Sequence, residues 1–103
     1  MFEAVAGVID ECGGAELRVA ATQVGWARSR GFAFLWKPQR WLGGRAAPLV
    51  LSVDLPDRDP SERWKQAVEV RRDHWMHHLE IRSAADVDDE ARGWVSRAYR
   101  CAA

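Results

Sequence analysis

The feature that most limits what this chain can fold into is the spacing of its apolar residues, which changes twice along its length. Phe2, Val5, Ala6, Ile9 and Cys12 recur at helical intervals until Gly13-Gly14 ends the pattern. From AELRVA onward the interval drops to two, with Leu17 and Val19 alternating against Glu16 and Arg18. Val24 and Trp26 then lead across a turn near Arg30-Gly31 into Phe32, Phe34 and Trp36. Leu49, Leu51 and Val53 mark another strand, VEV a short one, and HWMHHLEI the last. After Ser83 the helical interval returns in Val87, Ala91, Trp94, Val95 and Ala98. Ser83 and Asp86 have the spacing of a capping box, and Asp86, Asp88, Asp89 and Glu90 suit the positive end of the helix dipole.

The connections allow hairpins and are too short for parallel crossovers. The expected fold class is therefore α+β, a single two-layer domain over residues 1–103. Its mainly antiparallel sheet has five to six strands, with an N-terminal and a C-terminal helix packed on one face. The other face is left open or available to a partner. By the same spacing Trp26, Trp36, Trp75 and Trp94 are expected in the core.

Composition excludes several classes. The chain is 48% apolar and 29% charged, as ordinary globular domains are. It has no apolar run near the roughly 20 residues of a membrane helix, and MFEAVAGVIDE lacks the flanks of a signal peptide, so no membrane partner and a cytoplasmic location are expected. A helix that starts at Met1 has no N-cap, so either its first turn frays or the natural chain begins earlier. Cys12 and Cys101 form no CxxC pair and fit helical stripes, where buried free thiols are expected. The ending RCAA is one residue short of a prenylation box.

Three histidines crowd into HWMHHLEI. On a strand, Trp75, His77, Leu79 and Ile81 share one face and His74, Met76, His78 and Glu80 the other. His74 and His78 stand roughly 13 Å apart at about 3.3 Å per residue, too far to share a tetrahedral shell with each other or with His77. No metal and no cofactor is expected. His77 reads as a neutral, hydrogen-bonded core residue. DVDDEARG places Ala91 and Arg97 where a calcium loop needs Gly and Glu, so its acids read as helix capping. No GxSxG, P-loop, GxGxxG or HExxH occurs, which lowers the expectation of catalysis, and no catalytic residue is assigned.

Charge carries the main functional signal. Residues 1–16 hold four acids and no base, whereas residues 17–53 hold six bases and no acid. Within that block KPQRWLGGRAAP reads as a long loop, and Trp41 stands between Arg40 and Leu42 with Lys37 and Arg45 nearby. An indole beside guanidinium groups can stack on a base while the cations neutralise a phosphate. The same indole can instead fold back as a lid over the open face.

The segments ATQVGW, RGFAFLW, LVLSV, DPSERWKQAVE and HHLEIRSAADVDDEARGWVSRAY resemble a small bacterial family known only as a domain of unknown function, number 5655. The likeness runs from about Gly13 to Tyr99. It implies a compact α+β domain that occurs alone or attached to other domains, some of them nuclease-like. It implies no established activity and no catalytic residues. Many relatives have a lysine before the threonine that matches Thr22; Ala21 stands there in this chain.

The leading expectation is a non-enzymatic binding module for an anionic or nucleic-acid partner. Arg28, Arg30, Lys37, Arg40 and Arg45 would contact phosphate and Trp41 would stack. A second is a small ligand-binding protein or enzyme with an open-face pocket around His78, Glu80 and Arg28. A third is a protein-interaction or self-association module using an exposed sheet face.

Overall fold

A computed structural model describes residues 2–37 and 49–103. Helix α1 (Phe2–Cys12) is followed by strands β1 (Glu16–Val19), β2 (Gln23–Ala27), β3 (Gly31–Trp36), β4 (Leu49–Leu55), β5 (Gln66–Arg71) and β6 (His74–Ile81). A 3₁₀ turn (Ala84–Asp86) leads into helix α2 (Asp89–Cys101). The strands form one antiparallel sheet in the order β1-β2-β3-β4-β6-β5. The α+β class, the strand number and the two terminal helices are as the spacing predicts.

Both helices cover one face. Val24, Trp26, Ala33, Leu35, Leu51, Val53, His77 and Leu79 are linked by register across β2, β3, β4 and β6 and line the helix side. Val5, Val8 and Ile9 from α1 and Ala91, Trp94, Val95 and Ala98 from α2 close over them. Phe2 stacks on Trp26 with ring centroids 5.7 Å apart. Alpha1 ends where Gly13 takes φ +131°, and the space its missing Cβ leaves admits the Tyr99 hydroxyl, which donates to Gly14 O at 3.0 Å.

The structure corrects some details and adds others. Phe32 and Trp36 do not share a face: the register slips between Trp26 and Ala27, Phe32 becomes the extra residue of a bulge, and its ring meets Tyr99 edge-on at 5.6 Å. Trp36 is half-buried on the opposite, helix-free face. Trp64, which lies in a turn-like segment, enters the core beside Trp94 at 4.1 Å. Ser83 and Asp86 form the expected capping box, but on the 3₁₀ turn, where Asp86 accepts from the Ser83 amide, while α2 is capped by Asp88, which accepts from the Ala91 amide. Cys101 is exposed at the end of α2 and Cys12 is half-buried, both as free thiols, so neither is the fully buried residue its spacing suggests.

The tip of β2–β3 clamps the end of α2. Ser29 donates through its amide and hydroxyl to Ala102 O, Arg28 donates to Tyr99 O, and Arg30 donates to Cys101 O. These are the carbonyls that a helix C-terminus leaves unpaired, and cations are favoured there.

Candidate ligand-binding face

The helix-free face follows from the same register. Phe34 pairs with Ser52, Ser52 with His78, Trp36 with Val50 and Asp54 with Met76, so these side chains form rows across β3, β4 and β6. Arg18 on β1 and Arg71 on β5 extend the rows to the two edges. The face is concave, since Arg18 and Arg71 come from opposite edges yet line one cavity.

That cavity, of about 390 Å³, lies between Arg18, Arg30, Asp54, Arg71 and His74. Asp54 is 7% exposed and sits between the His74 imidazole and the Arg30 guanidinium. His74 Nδ1 is 3.0 Å from its Oδ2, and Arg30 Nε is 3.6 Å from the same oxygen. A carboxylate can only accept, so the Nδ1 proton of His74 points at Asp54 and Nε2 is the nitrogen left for other partners. Arg18 also meets Glu16 at 3.1 Å in an exposed pair that contributes little to stability.

A second cavity, of about 340 Å³, lies between Gln23, Phe34, Trp36, Ser52, Met76 and His78. Trp36 Nε1 donates to Ser52 Oγ at 2.8 Å, and Ser52 Oγ is 2.7 Å from His78 Nδ1. Burial first, and neighbouring His77 second, hold the His78 imidazole below its ordinary pKa. The two cavities share Phe34 and Met76, so they are two ends of one trough.

His77 belongs to the other side of β6. It is fully buried, its Nε2 accepts from the Asp59 amide at 2.9 Å, and its Nδ1 donates to Trp75 O at 3.0 Å. That arrangement is a hydrogen-bonded core imidazole with the proton on Nδ1.

The residues singled out from sequence separate. Arg28 lies 4.1 Å above the Tyr99 ring and bonds the end of α2, so the structure does not bring it to His78 and Glu80. Glu80 shares the open face with His78 and pairs with Lys65 at 3.1 Å. Arg30 spans the α2 terminus and the Asp54 cavity. Lys37 is exposed just beyond β3, and Arg40, Trp41 and Arg45 lie outside the described residues. Arg18, Phe34, Ser52, Asp54, Arg71 and His74 join the face without having been singled out from sequence. Alternation puts Arg18 and His74 on the open side, but only the β4–β6 register sets Asp54 and Ser52 beside the histidines. Among the described residues, no three His, Cys, Asp or Glu side chains converge to hold a metal, and no helix is long and apolar enough to cross a membrane.

No curated protein and no solved structure matches the chain. The model of one family, described as Domain of unknown function (DUF5655), matches residues 1–102, and this chain belongs to that family.

Proposed function

We propose that this domain is a non-enzymatic binding module for an anionic partner, and that a phosphate group of that partner occupies the arginine-lined end of the open face. One observation carries the reading: Arg18, Arg30, Arg71 and His74 surround a single concavity, with Asp54 the one acid among the described residues on its wall. Guanidinium groups present planar forks of donors that match phosphate oxygens, and a concave site concentrates their field. The basic block of residues 17–53 supplies Arg18 and Arg30 to it.

A second reading, a small-ligand pocket around His78, is favoured by the cavity between Trp36, Ser52 and Met76. Both readings use one face. The test is a titration with heparin and with a single-stranded oligonucleotide at low salt. Saturable binding that drops about tenfold or more in the Arg18→Glu, Arg71→Glu double variant is expected, each lost charged hydrogen bond costing about 1.5–3 kcal/mol. Absence of binding to either polyanion, or binding indifferent to both substitutions, removes the reading.

A further inference from the structure

Phe34 is a half-buried aromatic ring that lies down on the sheet. A Cβ built on Gly31 would stand 2.7 Å from Phe34 Cζ, and one on Gly25 would stand 3.0 Å from Phe34 Cδ1. Two neighbouring positions therefore carry no side chain where the ring rests. The ring borders both the arginine-lined cavity and the Ser52–His78 cavity, so it forms the floor between them.

The second observation is the hydrogen-bond chain from Trp36 through Ser52 to His78. An indole nitrogen only donates, so the Ser52 oxygen accepts from Trp36. Ser52 Oγ keeps one hydrogen and one lone pair for His78 Nδ1, and where the hydrogen is used Nδ1 accepts it. A neutral imidazole that accepts at Nδ1 carries its proton on Nε2. His78 Nε2 has no hydrogen-bond partner among the described residues, and the imidazole lines the cavity. His74 has the opposite pattern, because its Nδ1 proton serves Asp54. One end of the trough thus offers an aromatic floor and an imidazole nitrogen facing the cavity, and the other offers guanidinium groups.

We propose that the Phe34–His78 end holds a nucleobase, stacked on Phe34 and accepting a hydrogen bond from His78 Nε2, so that the ligand of this face is a phosphorylated nucleoside. The inference rests on the phosphate reading of the arginine-lined end. Ser52 and Asp54 are two residues apart on β4, and His78 and His74 four apart on β6. At about 3.3 Å per residue the two ends are separated by roughly 7–13 Å, a span for one or two linked nucleotide units. Stacking on an aromatic side chain and neutralisation of the adjacent phosphate are how single strands are bound without reading of sequence. The shared chemistry fits a free nucleotide or a unit of a single strand.

Isothermal titration calorimetry of the whole domain, at low salt, with inorganic phosphate, ribose 5-phosphate, uridine 5′-monophosphate and an eight-residue oligouridylate tests this. The mononucleotide should bind about 5- to 150-fold tighter than ribose 5-phosphate, the range that base–aromatic stacking supplies. Phe34→Ala should erase that advantage, lowering mononucleotide affinity far more than ribose 5-phosphate affinity. If Phe34→Ala does not fold, Phe34→Leu keeps the packing over the glycines and removes the stacking surface. His78→Leu should lower mononucleotide affinity and spare ribose 5-phosphate. Equal affinity for ribose 5-phosphate and the mononucleotide overturns the base site and leaves the phosphate reading standing. No binding of any phosphate probe overturns both. Tighter binding of the octamer supports a strand as the natural source, and equal binding of monomer and octamer supports a free nucleotide.

Discussion

At Asp59 one carboxylate accepts from the Ser61 amide and the Trp64 indole through Oδ1, and from the Trp94 indole through Oδ2. Its own amide donates to His77, so a single residue fixes the hydrogen bonds of three large core side chains. Partial burial works to raise the Asp59 pKa, and the hydrogen bonds from Ser61, Trp64 and Trp94, with His77 nearby, outweigh it and hold the carboxyl below the ordinary aspartate range. The linkage has a definite sign. A depressed folded pKa contributes stability that is present above the unfolded aspartate value and is lost as pH falls through the lowered folded value. Asp59→Asn turns an amide NH₂ toward one donor, and should cost about 1–3 kcal/mol at neutral pH. Urea unfolding at neutral pH and again below the ordinary aspartate range checks this, because the difference between native and variant should shrink on acidification. A gap that stays constant with pH would show that the carboxylate charge is not what Asp59 contributes.

Helix α2 depends on the same cluster, since Trp94 packs at a tilt against Trp64 and carries an Arg63 guanidinium 5.5 Å from its ring. Trp94→Ala removes that packing and strands the Trp64 surface, at an expected cost of roughly 3–5 kcal/mol, a large share of the stability of a domain this size. Trp94→Phe should cost less, because it keeps most of the packing and loses the bond to Asp59. Chemical unfolding of both variants measures the two contributions, and a loss below about 1 kcal/mol for the alanine variant contradicts the docking of α2. The helices were legible because periodicity reports which face meets a core: Val87, Ala91, Trp94, Val95 and Ala98 needed no partner to be named. Trp64 was not legible, since a turn has no period and its burial depends on Asp59 five residues away. Phe32 was not legible either, because a bulge breaks alternation without a mark in the sequence. The functional face shows the same division. Alternation alone set His74 and His78 apart from His77, whereas the pairing of Ser52 with His78 and of Asp54 with Met76 depends on a register between strands some twenty residues apart.

Among the described residues the acids of α1 and the trough arginines lie on opposite sides of the sheet, while α2 carries both signs. Helix α1 carries Glu3, Asp10 and Glu11 and no base, on the side opposite the trough with Arg18, Arg30 and Arg71. The basic block that stood out in the sequence is therefore divided. Arg28 and part of Arg30 close the end of α2, Arg30 and Arg18 border the trough, and Arg40 and Arg45 lie outside the described residues. Salt dependence separates these shares, because each neutralised phosphate of a single strand contributes about −0.7 to the slope of log affinity against log salt. If the three trough arginines alone meet the strand, the slope for an oligonucleotide should lie near −2. It should flatten in the Arg18→Glu, Arg71→Glu variant and remain unchanged in Arg40→Glu, Arg45→Glu. If the segment around Trp41 also contacts the strand, the native slope should be steeper and the second pair should flatten it as well. Trp41→Ala would then weaken binding by roughly 1–3 kcal/mol without altering the slope. The acids of α1 keep the expected affinity modest, since they oppose the trough's field over distances comparable to the Debye length of about 10 Å at 0.1 M salt. A steep native slope that neither pair alters would place the contacts on other bases of this domain and overturn both assignments at once.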